Sequence, residues 1–204
     1  MEPREAARRA VKIHLGSGSV YLREWVNVDL PLPNVFLAKE RHDLVERFIT
    51  TEDKYYARHD NKSKDTWRQG PLKQETVCDV YGRFEFLPAR ANAVSEILAR
   101  QCFEHLTREQ AVQGLVESRR VLQPGGIIRI DIPDPDETMR HYLESGDEFY
   151  IRHLFGPRLD TYGFHTHYTR TMLSNLLESH GFEFIQEEPN IHNYPAFCLA
   201  FSKQ

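Results

Sequence analysis

Short apolar runs closed by glycine or polar chemistry recur along this chain. Val11 to Leu15 (VKIHL) is β-rich and ends in Gly16-Ser17-Gly18, and Trp25 to Leu30 (WVNVDL) is a second such run that reaches Asp29. Thr76 to Tyr81 predicts a third strand and Ala93 to Arg100 a fourth, the latter with some helical character. From Thr107 to Leu122, Ala111, Leu115, Val116, Arg119 and Leu122 recur at helical spacing, with Thr107 suited to cap the helix and Glu109 and Gln110 in its first turn. Gln123-Pro124-Gly125-Gly126 stops that helix and turns into Ile127 to Ile132, whose aliphatic character fits a strand covered on both faces. Thr169 or Thr171 opens a last helix through His180, Gly181 ends it, and FEFIQEE and FCLAFSK read as two closing strands.

Strand and helix in alternation imply an α/β fold with a mostly parallel sheet. Pro31 to Glu75 interrupts the rhythm with charge-dense stretches and scattered aromatics (Phe36, Phe48, Tyr55, Tyr56, Trp67), and reads as an inserted lid after the second strand, helical in part. Gly18 to Trp25 is too short for a full crossover helix, so a shortened helix or turn is expected there. With 204 residues the default is one domain, 1–204, with 31–75 as a lid or substrate-recognition insertion.

Composition narrows the function classes. No apolar run approaches the length of a membrane span, and the arginine-rich start is not followed by an apolar segment, so a cytoplasmic address is expected. A net charge of −4 and a pI near 6.2 give no general attraction to nucleic acid. Cys78, Cys102 and Cys198 are odd in number and widely spaced, and read as buried apolar filler, not as disulfides or zinc ligands.

A glycine turn straight after the first strand lets backbone approach a ligand, and an acidic residue at the end of the next strand can accept from both hydroxyls of a ribose. Gly16, Gly18 and Asp29 are placed for this. The third glycine of a dinucleotide fingerprint is replaced by Tyr21, which disfavours a pyrophosphate-bearing cofactor.

Taken in order, HLGSG, WVNVDL, CDV, LARQCFEHL, RVLQPGGIIRIDIPD and LLESHGFEF resemble the motif series of class I S-adenosylmethionine-dependent methyltransferases. The chain looks most like the small members found among polysaccharide and surface-glycan biosynthesis enzymes. The resemblance implies a Rossmann-like methyltransferase fold with a mostly parallel seven-stranded sheet, S-adenosylmethionine as cofactor and S-adenosylhomocysteine as product. It also implies that Gly16, Ser17 and Gly18 wrap the methionine part, Asp29 holds the ribose, Asp79 accepts from the adenine amino group, and Arg100 and Gln101 lie under the sulfonium. Two features depart from the family: His14 replaces the usual acidic residue before the glycines, and YGRFEFLPARAN sets Leu87-Pro88 far from Asp79.

Methyl transfer to a hydroxyl benefits from a general base, and histidine, with an ordinary pKa of about 6.5, is suited to the task. His105 in EHL, His165 and His167 in GFHTHYT, and Asp131 in IDIPDPD are the candidates; Asp134 and Asp136 belong to the same edge, where a rigid proline turn is the plainer reading. No metal is assigned. Tyr162, Phe164 and Tyr168 offer stacking faces or core packing. The expected activity is O-methylation of a sugar or glycan-like small acceptor, without a nucleic-acid partner or membrane span, and with a homodimer left open. N- or C-methylation of a small metabolite is the alternative enzyme. A non-catalytic binding module is the alternative outside enzymes, favoured by His14 and the short crossover.

Overall fold

The computed structural model describes residues 10–55, 75–155 and 164–204, so the arginine-rich start, Tyr56, Trp67 and Tyr162 lie outside the described residues. The strands run β1 (Val11–Leu15), β2 (Tyr21–Leu22), β3 (Val26–Asp29), β4 (Val35–Leu37), β5 (Ile49–Thr50) and β6 (Thr76–Cys78). They continue with β7 (Val80–Tyr81), β8 (Val94–Arg100), β9 (Leu122–Pro133), β10 (Phe182–Glu188) and β11 (Ala196–Lys203). The helices are α1 (His42–Phe48), α2 (Arg108–Val121), α3 (Pro135–Ser145), α4 (Glu148–Phe155) and α5 (Arg170–Glu178).

Seven strands form the main sheet in the order β10-β11-β9-β8-β1-β3-β7. The β9-β8-β1-β3-β7 neighbours pair in parallel, and β11 runs antiparallel to both β9 and β10. Because β11 alone is reversed, the turn before it returns to the edge where the parallel strands end. That edge is where open α/β sheets bind ligands.

Alternation along the strands separates two unlike faces. Ile13 and Leu15 of β1, Ile97 and Ala99 of β8, and Ile128, Ile130 and Ile132 of β9 share the main core with Ala111 and Leu115 of α2 and Leu173 and Leu177 of α5. Arg129 and Asp131 fall at the intervening positions of β9. The strand is covered on both faces, as expected for IIRIDI, but its second face carries an ion network in which Arg129 pairs with Glu52, Glu96 and Glu188.

Capping follows the sequence. Thr107 accepts from the Gln110 amide while the Gln110 side chain accepts from the Thr107 amide, a reciprocal cap that starts α2. Thr169, not Thr171, caps α5. Gln123-Pro124-Gly125-Gly126 does turn, as a bulge within β9: Leu122 pairs with Val94 and Ile127 with Glu96, leaving the intervening residues outside the ladder.

The described part of the expected lid is a packed flank. β4 pairs with β6 and β5 with β2, and Leu44 and Phe48 of α1 are buried against Val77. β1 and β3 are joined by turns and the short β2, with no helix, as their separation requires. Within the flank Tyr55 is buried with Val20, Leu22 and Leu98 on the second face of the sheet. There its hydroxyl meets His14 Nε2 at 2.7 Å. Asn27 Oδ1 already accepts from the Leu22 amide, so it also accepts from His14 Nδ1 at 3.0 Å, and His14 Nε2 must be the acceptor for Tyr55. Burial, helped by the nearby Arg100 charge and opposed by the Asn27 hydrogen bond, lowers the His14 pKa to about 4. The residue that departs from the family pattern is thus a neutral strut between the sheet and the flank.

Two stability predictions follow from this packing. A methyl group on Gly114 would overlap the Phe84 ring. Overpacking of about 1–3 kcal/mol should exceed the helix-propensity gain of about 1 kcal/mol, so Gly114→Ala should lower the urea midpoint. His14 binds its proton less readily folded than unfolded, so its contribution is complete above the unfolded pKa of 6.5 and is lost as pH falls towards 4. Between pH 7 and pH 5 the loss should be about 2 kcal/mol, and urea melts of His14→Gln should show a correspondingly flatter pH dependence.

Candidate active site

The short link after β1 forces a tight turn, and glycine supplies it: Gly16 has φ +62° and Gly18 φ +50°. At Gly16 a side chain is also barred, because a Cβ would stand 2.6 Å from Cys102 Cβ, in the turn after β8. At Gly18 a Cβ would meet nothing closer than 3.8 Å. The turn is fastened to β3: the Ser17 amide donates to the Val28 carbonyl at 3.3 Å and the Gly18 amide to Asp29 Oδ2 at 2.8 Å. Asp29 Oδ1 accepts from the Leu30 amide at 2.7 Å. Burial raises the Asp29 pKa, with the Gly18 and Leu30 amides acting in opposition. Gly16, Ser17, Gly18 and Asp29 therefore occupy one corner of the sheet edge.

Asp79 does not join them. It precedes β7 and is level with Asn27, one residue short of Val28 and two short of Asp29 along β3. One oxygen accepts from the Tyr21 hydroxyl; the other accepts from the Asn27 amide at 2.7 Å and its side chain at 3.0 Å. Those donors fix the orientation of the exposed Asp79 carboxylate.

Arg100 and Gln101 end β8 and turn towards β9. Arg100 Nε lies 3.0 Å from Asp131 Oδ2, and its guanidinium covers the Tyr55 ring at 4.6 Å. Gln101, at φ +53°, donates from Nε2 to Asp131 Oδ1 at 2.8 Å. The same oxygen meets His192 Nε2 at 2.7 Å, and both of those side chains are 2% exposed. Asp131 is consequently an orienting hub. Arg100 lies against its charge, and Gln101 and His192 meet its Oδ1 oxygen. Asp134 is structural, capping α3 through the Asp136 and Glu137 amides and pairing with Arg170 at 2.6 Å.

The proposed histidine bases gather around Phe164. His105 lies edge-on to that ring at 5.2 Å and His167 at 5.8 Å, with burial lowering the His167 pKa. His165 is exposed, and its amide donates to the Glu104 carbonyl at 2.9 Å. Tyr168 is core, packed on Phe103. The aromatic faces continue through His153, 6.3 Å from Phe164 and 4.3 Å from Tyr194, to His192, 4.7 Å from Tyr194. Burial and the neighbouring His192 lower His153 to about 4, so it is neutral. Burial likewise raises the Cys102 thiol, which makes a nucleophilic role unsuited to it.

Sequence reasoning missed Glu104, His192 and Tyr194. Glu104 sits inside the quoted EHL motif, beside the histidine that drew attention. His192 and Tyr194 belong to the link between β10 and β11, and the signal for them was topological: a closing antiparallel strand brings that link back to the ligand edge.

No protein-family profile and no curated protein matches this sequence. Solved structures do match its fold. An S-adenosylmethionine-dependent methyltransferase of Thermotoga maritima, described as a possible histamine N-methyltransferase, is 12% identical over 98% of this chain and 84% of its own, with a TM-score of 0.53. One from Methanosarcina mazei is 14% identical over 94% and 91%, with a TM-score of 0.53. Magnesium protoporphyrin IX methyltransferase of Synechocystis, solved with S-adenosylhomocysteine bound, is 8% identical over 96% and 74%, with a TM-score of 0.50. At these identities the likeness is one of fold: an α/β Rossmann-like fold with a seven-stranded, mostly parallel sheet, shared with S-adenosylmethionine-dependent methyltransferases.

Proposed function

We propose that this protein is an S-adenosylmethionine-dependent methyltransferase. The observation that carries the reading is the convergence of the Gly16–Gly18 turn and the Asp29 carboxylate on one corner of the sheet edge, joined by the 2.8 Å bond from the Gly18 amide. The corner suits an adenosine-bearing ligand. A side chain at Gly18 would meet nothing closer than 3.8 Å, and the half-buried Asp29 carboxylate keeps acceptor capacity for ribose hydroxyls beyond the Gly18 and Leu30 amides. Gly16, Ser17 and Gly18 would lie along the methionine part and Asp29 would hold the ribose. Bound there, the cofactor supplies an electrophilic methyl group on a sulfonium.

The protein's part in such a displacement is alignment and exclusion of water. Asp131, fixed by Arg100 and Gln101, holds His192 in one orientation, and His192 in turn sets the face of Tyr194. The imidazole and aromatic surfaces from His105 through Phe164 and His153 to Tyr194 give a ring-bearing acceptor faces to stack on. A sugar or glycan-like hydroxyl is the acceptor that the sequence resemblance suggests. A nitrogen acceptor is the second reading, favoured by the buried carboxyl of Glu104, which suits an N–H donor, and in keeping with the description of the Thermotoga neighbour.

Isothermal calorimetry tests the reading directly. Both S-adenosylmethionine and S-adenosylhomocysteine should bind at one site, and Asp29→Ala should weaken both by about 10- to 100-fold, from roughly 1.5–3 kcal/mol for hydrogen bonds to a charged group. Unchanged affinity in the variant would contradict the role given to Asp29. No binding of either ligand to the wild type would remove the function.

A further inference from the structure

Glu104 is a buried carboxyl that neither the glycine–Asp29 corner nor the Asp131 hub engages. It belongs to the 3-10 turn Phe103–His105 that follows β8, and it is 2% exposed. The turn is pinned from outside, since its Glu104 carbonyl accepts from the amides of both His165 and Thr166. Within it, the Glu104 Oε2 atom is buried and has no hydrogen-bond partner among the described residues. A buried, unpaired carboxyl oxygen costs stability, and such groups persist where a ligand or a reaction uses them.

Its surroundings define what it can do. Asp131 acts on it electrostatically from β9, but the Asp131 charge is already matched by Arg100 of β8. The Tyr194 phenol, from the link between β10 and β11, and the Cys102 thiol both sense the Glu104 charge, and both are held neutral by burial. His105 follows in the same turn and faces Phe164. Burial, reinforced by Asp131 and opposed by the residue's own amide, raises Glu104 to about 8. Burial thus favours its protonated form.

We propose that Glu104 receives the proton that the acceptor gives up, and that a sulfonium bound at the adjacent Gly16–Gly18 corner draws Glu104 into its carboxylate form. The inference rests on the methyltransferase reading and adds the group that balances it. An acceptor X–H uses a lone pair on X to form the bond to the methyl carbon as the carbon–sulfur bond breaks and its electron pair stays on sulfur. The proton of X–H passes to the Glu104 carboxylate, either directly or through one water, and later to solvent. The neutral thioether product no longer favours the anion, so Glu104 holds that proton until the product leaves. The base is therefore present only when the methyl donor is.

The test needs no acceptor. Calorimetric titrations at pH 7, in buffers of different ionisation enthalpy, count protons released when S-adenosylmethionine or S-adenosylhomocysteine binds. An opposite charge nearby lowers a carboxyl pKa by about 1–3 units, so the sulfonium should release about 0.4–0.9 of a proton more than the thioether. In Glu104→Gln the two ligands should still bind, and the difference should vanish. Infrared difference spectra of the wild type provide the second readout, with a protonated-carboxyl stretch lost on adding S-adenosylmethionine and kept with S-adenosylhomocysteine. Equal proton release by the two ligands, a difference that survives in Glu104→Gln, or an unaltered infrared band would overturn the proposal while leaving the cofactor assignment standing. Binding of neither ligand would remove both.

Discussion

The hydrogen bond from the Gly18 amide to the Asp29 carboxylate ties two strand ends into one corner, and the rest of the site is arranged around it. It exists because β1 and β3 pair in parallel with only a short chain between them. A crossover helix does not fit, so the chain turns at once through two left-handed glycines, and the acidic end of β3 becomes the nearest partner for the turn's amides. Gly16 must also clear Cys102, which sets the turn directly against the end of β8. Sequence length thus dictates local geometry, and local geometry brings backbone donors, an acceptor carboxylate and the next strand's exit to a common edge.

The acceptor side has a different logic. A second hub, Asp131, collects Arg100 and Gln101 from β8 and His192 from the last loop. Desolvating a carboxylate is tolerable when an opposite charge and oriented donors replace water, and Asp131 has both. At Glu104 its own amide opposes burial and burial prevails, which sets it apart from Asp131, the carboxyl that orients its neighbours. The same device of unequal environments assigns acid and base roles in many active sites. His14 and His153 lie on the other branch, driven neutral by burial and serving as struts.

Much of this was legible in the sequence. Seven strands, the cap at Thr107, the glycine turn and Asp29 at the end of the second main strand follow from period, punctuation and spacing. What sequence periodicity concealed was the second face of the sheet: IIRIDI looks aliphatic, yet Arg129 and Asp131 point together into a polar network that only pairing with distant Glu52, Glu96 and Arg100 explains. The partners of Asp79, Tyr21 and Asn27, were likewise not legible, because they come from the link before the second main strand and from that strand itself. Residues 31–55 read as a cover from their charge, but buried Leu44, Phe48 and Tyr55 make them a wall. His192 and Tyr194 could be placed only once the reversal of β11 was known.

The corner formed by the glycine turn and Asp29 is the claim on which the others stand, and a crystal structure with S-adenosylhomocysteine bound tests it most directly. The account predicts both ribose hydroxyls within hydrogen-bonding distance of the Asp29 carboxylate, the homocysteine portion along the Gly16–Gly18 backbone, and the sulfur facing the side of the site that holds Glu104. A ligand seated elsewhere on the sheet, or a ribose turned away from Asp29, would contradict it.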